Sequence, residues 1–229
     1  MSPLLVFRTL VAWDFVREMR RKNTLVAMGM MALVTLFVFA FAIPPTSTEL
    51  EQASGGVLWT TLLLAASVGI DRAFRADGEG RLLEGLLLAP VSRPTLYHAR
   101  VVATFLFVLV IAVPTFVLFL LFFNLSVSLA GVLWITAIAF GTLFGFVALG
   151  VLLSALTFSV RGGDVLLRVV LFPLLVPIFI AAVDATTRAF DGKAPDVKHG
   201  VMILAFDLTF LGAGHLLFDH GVKDLGPQG

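Results

Sequence analysis

The sequence contains no cysteine. Disulfide frameworks, cysteine-type zinc sites and thiol catalysis are therefore excluded. Charge is also scarce: Asp, Glu, Lys and Arg make up 14% of the chain, against about 25% in soluble domains. The four histidines, His98, His199, His215 and His220, are scattered and form no paired-His metal motif. No glycine-rich phosphate loop ends in lysine, so the chain has no ATP-hydrolysing site of its own. The net charge of +1 gives no reason to expect a nucleic-acid partner. What is abundant is apolar surface. Hydrophobic residues make up 59% of the 229, Phe alone occurs 22 times, and mean hydropathy is +1.02. Soluble chains run nearer 45–50% apolar. No soluble fold could hide this excess in so short a chain, so lipid must be the solvent for most of it.

The few charges mark the boundaries. Residues 1–22 carry both signs: Arg8, Asp14, Arg17, Glu18, Arg20, Arg21 and Lys22. Leu4, Phe7, Leu10, Val11 and Phe15 recur there at helical spacing, which predicts an amphipathic helix over 4–22 lying on the membrane surface. A first span follows over 25–43. Ala40-Phe41-Ala42 has the shape of a signal-peptidase site, but the apolar core is longer than the ~7–15 residues of a signal peptide and its leader is mixed in sign. An uncleaved span is therefore expected. Pro44-Pro45 ends it, and a second span is expected over 53–70.

Residues 71–100 form the most hydrophilic segment. Within it, Leu82, Leu83, Leu86 and Leu87 would line one face of a two-turn helix bounded by Gly80 and Pro90. That is too short to span. It reads either as an interfacial helix or as a coupling helix that docks in a groove of a cytoplasmic partner.

Residues 101–160 carry no charge. Sixty helical residues would extend ~90 Å, about three bilayer cores of ~30 Å. Arg100 and Arg161 belong on one side, so the number of crossings is even. Two long spans result, over 101–123 and 129–158, turning near Asn124-Leu125-Ser126. Pro114 falls inside the first of them. Ala137, Gly141 and Gly145 give the second a small-residue ridge suited to close packing. A fifth span is expected over 165–183, where Pro173 and Pro177 should kink the helix and a broken or re-entrant segment is the alternative. Arg161-Gly162-Gly163 forms the turn before it. A sixth span is expected over 200–218.

With this topology Lys and Arg are strongly sided. Arg188, Lys193 and Lys198 alone fall outside, and the other thirteen of the 16 fall inside. Both termini are thus expected in the cytoplasm. The whole chain, 1–229, is expected to be a single all-α, six-span polytopic domain with the lipid bilayer as its surroundings.

Asp207 falls mid-way along the sixth span. An ionisable residue at that depth is expensive and marks a candidate functional site. Two readings stand: satisfaction inside the bundle, or a role in transport. His215 lies two turns on, on roughly the same face. Asp184 closes the fifth span.

These stretches together resemble the CcmB family, the permease subunit of a haem-exporting ABC transporter of cytochrome c maturation. The likeness is carried by Trp13-Asp14-Phe15-Val16-Arg17-Glu18 with Arg20, and by Asp71-Arg72-Ala73-Phe74-Arg75 through Asp77, Leu83-Glu84, Leu86 and Pro90. Most specific are Arg161-Gly162-Gly163, Leu166-Leu167, Leu171, Pro173, Leu174 and Pro177, with Asp184 at a matching distance. The family often has Gly where Arg81 stands. The resemblance implies a bacterial inner-membrane subunit that forms a homodimer and binds a separate ATPase subunit carrying the ATP. It also implies haem-handling membrane subunits and a periplasmic haem chaperone as partners, with haem as the substrate and no cofactor bound to this chain. Asp77, Arg81, Leu83, Glu84, Leu86 and Leu87 would couple to the ATPase. Arg161, Gly162, Gly163, Pro173 and Pro177 would form a hinge, and Asp207, Asp184 and His215 would be the intramembrane polar groups. Two alternatives differ in class: an assembly subunit that transmits ATPase motion to release the haem-loaded chaperone, and a secondary carrier. Carriers favour internal repeats and several midplane charges, and neither is present here.

The absence of cysteine makes the orientation directly measurable. Lys193→Cys should react with a membrane-impermeant maleimide in intact cells, and Arg20→Cys only after lysis. The reverse pattern would invert the topology.

Overall fold

A computed structural model describes residues 3–43, 48–79, 92–124, 127–157, 163–194 and 196–221. All regular structure among them is helical. Seven helices follow in order: α1 (Pro3–Met19), α2 (Lys22–Ala42), α3 (Thr48–Glu79), α4 (Arg93–Phe123), α5 (Leu129–Thr157), α6 (Gly163–Phe190) and α7 (Val197–Gly221). Six of them, α2 to α7, are long and apolar enough to cross a membrane. The chain is therefore a multi-pass helical membrane protein.

The helices outrun the apolar stretches that mark them in the sequence. α4 begins at Arg93 rather than at 101, and α3 runs on past Ile70 to Glu79. Charge marks the edge of the hydrocarbon, while a helix keeps its hydrogen bonds into the interface until a cap or breaker stops it. Pro94 lies in the first turn of α4, where its missing N–H costs nothing. At the far end Asn124 adopts the left-handed conformation (φ 48°) and its N–H bonds back to Leu120 O. This is the turn foreseen near Asn124. Asp196 begins the last helix: its Oδ1 accepts the Lys198 backbone N–H at 3.0 Å. That bond, with Lys198, His199 and Arg188 nearby, holds its carboxyl below the ordinary carboxylate range.

α5 and α3 occupy the centre. In their apolar stretches 67% and 61% of residues are buried, against 22% in α2 and 17% in α7. α5 packs chiefly on α6 and α7, α3 on α2 and α6, and α1 on α4. Small residues permit the closest approaches. A Cβ on Gly55 of α3 would collide with the Val183 carbonyl and Thr187 of α6, so backbones meet there as small-residue interfaces allow in lipid. One turn on, Trp59 is buried and its indole N–H donates to Thr186 Oγ1 at 3.0 Å, which satisfies both groups inside the bundle. Pro173 and Pro177 lie within α6, which runs without a break from Gly163 to Phe190. Both prolines are on its exposed face, while Leu171, Leu175 and Ile178 face the core. Pro114 likewise sits inside α4.

α1 departs from a simple amphipathic helix. Of the expected apolar face, Phe7, Leu10, Val11 and Phe15 are half-buried and Leu4 is exposed; Leu5, Trp13 and Val16 are exposed too, and Asp14 and Glu18 are buried. The two carboxylates are four residues apart and share a helix face. That face turns onto α4, where Arg100 Nη1 donates to Asp14 Oδ1 at 2.8 Å and Oδ2 at 2.9 Å. Arg100 Nη2 lies 4.0 Å from Glu18 Oε1. Arg17 donates to Glu18 Oε1 at 3.3 Å, and Arg21 stands 3.9 Å from Oε2. Two carboxylates thus meet three guanidiniums, and the outward apolar side chains are left for lipid. Arg100→Met should lower stability by about 2 kcal/mol, the scale of a charge-assisted hydrogen bond. Reversible unfolding in mixed detergent micelles checks this. An unchanged midpoint would show that the cluster does not hold α1.

Candidate functional site

Among the described residues, three polar places involve the acids and histidines singled out in the sequence. The first is built by Gly141 and Gly145 of the small-residue ridge of α5, whose third member, Ala137, is exposed. Asp207 of α7 is 7% exposed, and its carboxylate lies against Gly141 and Gly145. A Cβ on Gly145 would fall on Asp207 Oδ1 and crowd Phe206 and Ile178. The two glycines therefore make the slot that the carboxylate fills. Oδ1 is buried and has no hydrogen-bond partner, which is unusual for a polar atom in a native interior. α5 offers it no countercharge, since no residue over 129–157 is titratable. Two features read separately from the sequence, the ridge and the midplane acid, are one contact.

The second place lies between α4 and α7, toward the end of the bundle where α1 packs. Tyr97 is fully buried. Its hydroxyl is 3.1 Å from Ala148 O and 3.3 Å from Phe210 O, and its ring lies on the bare backbone of Gly214. The next residue, His98, reaches outward, with Nε2 3.2 Å from His215 Nδ1. His215 and Asp207 do not share a face. Eight residues at 100° each overshoot two full turns by 80°, so Asp207 turns to α5 and the exposed His215 to α4.

The third place is at the opposite end. Asp184 Oδ2 and His199 Nε2 are 2.7 Å apart and tie α6 to α7. The Asp184 side chain is 57% exposed, so the pair faces outward rather than into the bundle.

The expected hinge and coupling residues fall differently. Gly163 is the first residue of α6, while Arg161 and Gly162 lie outside the described residues. Arg81, Leu83, Glu84, Leu86 and Leu87, and with them the coupling helix, also lie outside. Asp77 is in the last turns of α3, and its side chain is outside the described set. Among the described residues no group of three metal-ligating side chains occurs.

Sequence reasoning missed His98, Tyr97 and Arg100 as partners. Only Asp14 and Glu18 left a trace, through their spacing of four. His98 and His215 are 117 residues apart, and no local pattern joins them.

Six apolar helices around a mostly uncharged centre define a polytopic membrane protein. A family model described as "CcmB protein" matches residues 5–223, and the chain belongs to that family. Relatives are named heme exporter protein B. The one from Pseudomonas aeruginosa is 28% identical over 190 residues, 82% of this chain and 83% of its own. That of Haemophilus influenzae is 27% identical over 212 residues, 91% and 92% of the two chains. That of Escherichia coli K12 is 30% identical over 160 residues, 69% and 70%.

The slot should reveal itself by non-additivity. Gly145→Ala should cost about 1–3 kcal/mol through overpacking. Adding Asp207→Ala should recover part of that loss in the same unfolding assay, because the added methyl then meets a shorter side chain. Strictly additive losses would separate the two residues.

Proposed function

We propose that this chain is the membrane permease subunit of an ATP-driven ABC transporter acting in haem export or delivery for cytochrome c maturation. What carries the reading is membership of the CcmB family over residues 5–223, together with relatives named as haem exporters over most of their length. The chain lacks a phosphate-binding loop, so ATP is hydrolysed on a partner subunit. Two copies of each pair in a bacterial inner membrane, with both termini of this chain in the cytoplasm. The cation bias of the loops supports that orientation. Haem-handling membrane subunits and a periplasmic haem chaperone complete the pathway.

The architecture suits transmission of force. α3 has 32 residues, ~48 Å of helix, against a hydrocarbon core of ~30 Å. Its last turns carry Asp77 and precede in sequence the stretch with Arg81, Leu83, Glu84, Leu86 and Leu87. α3 is also a central helix, packed on α2, α4 and α6. Closure of an ATPase dimer against that segment would push on the middle of the bundle rather than its rim. α6 begins at Gly163, directly after Arg161-Gly162 in sequence, and carries Pro173 and Pro177. It can bend where each proline removes a backbone hydrogen bond. Asp207 and Asp184 lie on the faces of α7 and α6 that such a movement would rearrange.

Glu84→Lys should abolish co-purification of the ATPase subunit, leave membrane insertion unchanged and lower mature cytochrome c. Normal co-purification would overturn the docking assignment. Cytochrome c maturation that persists when the chain is deleted would overturn the haem reading itself.

A further inference from the structure

The outward face of α7 carries an arrangement that the bundle does not need. α7 is the least buried of the six spans. His215 is exposed on it, and its Nδ1 is 3.2 Å from Nε2 of the half-buried His98 on α4. The rings are tilted by 34°, with centroids 5.5 Å apart. With Nδ1 engaged, the remaining nitrogen of His215 is Nε2, on the side away from α4. A ligating histidine is commonly held in this way: one ring nitrogen donates to a neighbour, which sets the tautomer and the ring orientation and leaves the other lone pair for the metal.

The surroundings suit a flat apolar ligand. Gly212, one turn before His215, is exposed, and nothing stands within 4 Å of where its Cβ would be. Leu208, two turns before His215, is 62% exposed, and Leu216 beside it is 65% exposed. From Leu208 to His215 the helix rises ~10 Å. A bare backbone patch framed by leucines thus lies beside an oriented imidazole.

We propose that His215 is an axial ligand for the iron of a porphyrin lying against this face of α7, with His98 as the residue that positions it. The inference rests on the haem reading proposed above. A bare ion is a poorer occupant, because structural metal ions take about four protein ligands and the described residues offer no group of three. A porphyrin supplies four nitrogens and asks the protein for only an axial ligand. The 3.2 Å between the two ring nitrogens also leaves no room for a macrocycle between them, so one histidine ligates and the other orients. In this state His215 Nδ1–H donates to His98 Nε2, and the Nε2 lone pair of His215 forms the bond to iron. Both imidazoles stay neutral and no proton leaves the pair.

Ferric protoporphyrin IX titrated into the full chain in lipid nanodiscs tests this. The wild type should give a saturable, histidine-ligated absorption spectrum. His215→Ala should lose that spectrum and bind at least ten-fold more weakly. Metal-free protoporphyrin IX should bind wild type and His215→Ala alike, since it reads only the apolar face. In the ferrous complex, His98→Phe should shift the iron–histidine stretching band in resonance Raman spectra, and His98→Gln, which keeps an acceptor for Nδ1–H, should restore it. A histidine-ligated spectrum that survives in His215→Ala overturns the ligand assignment, as does its absence from the wild type. An iron–histidine band unmoved in His98→Phe overturns the positioning role. Cytochrome c maturation that requires the chain while the ligand assignment fails would leave the proposed function standing. Maturation independent of the chain would remove that function whatever the spectra show.

Discussion

In hydrocarbon a backbone N–H or C=O has no water to turn to, and every other feature of this protein follows from that constraint. Each crossing segment must satisfy its own backbone, so it is a helix. Once helical, the segments gain little from hiding apolar side chains from one another, because lipid is as apolar as leucine. Association must come from close contact and from the few polar groups. Gly55 lets α3 meet α6 at backbone distance. Trp59 and Thr186 satisfy each other next to it. The central positions of α3 and α5 express the same rule, since these two helices carry the glycines at Gly55, Gly141 and Gly145 that neighbours can approach.

Polar side chains are then placed by what each can find. Those near the ends pair with one another: Asp14 and Glu18 with Arg100, Arg17 and Arg21, and Asp184 with His199. Asp207, at mid-depth, finds only the glycine slot. A buried polar atom without a partner is seldom retained for stability. Its position on α7, against the one helix with no titratable group, sets it apart from the paired acids at either end. The His98–His215 pair differs again, because it lies on an exposed surface and orients an imidazole outward.

Much of this was legible before any coordinates. Uncharged runs and their flanking cations revealed six crossings, and Asn124 marked the turn between the two long ones. The ridge of Ala137, Gly141 and Gly145 was visible as a ridge, and Asp207 as an acid at depth. The likeness to the CcmB family was readable from Arg161-Gly162-Gly163 and the two prolines, and the family model's match over residues 5–223 agrees with it. The face assigned to His215 was read wrongly by 80° of helical rotation. The amphipathic reading of α1 left out Asp14 and Glu18, which are buried beside the half-buried Phe7, Leu10, Val11 and Phe15.

Composition and charge order by themselves determined that the chain is helical, that it spans a membrane and how many times it crosses. These are properties of each segment against its solvent, and a segment's residues suffice to state them. Which face of a helix meets which neighbour was decided only by the tertiary structure. In lipid the apolar pattern carries no inside–outside signal, so nothing local tells Asp207 from His215 or links His98 to a residue 117 positions away. Helix packing set those partnerships, and the slot and the oriented imidazole exist only because of it.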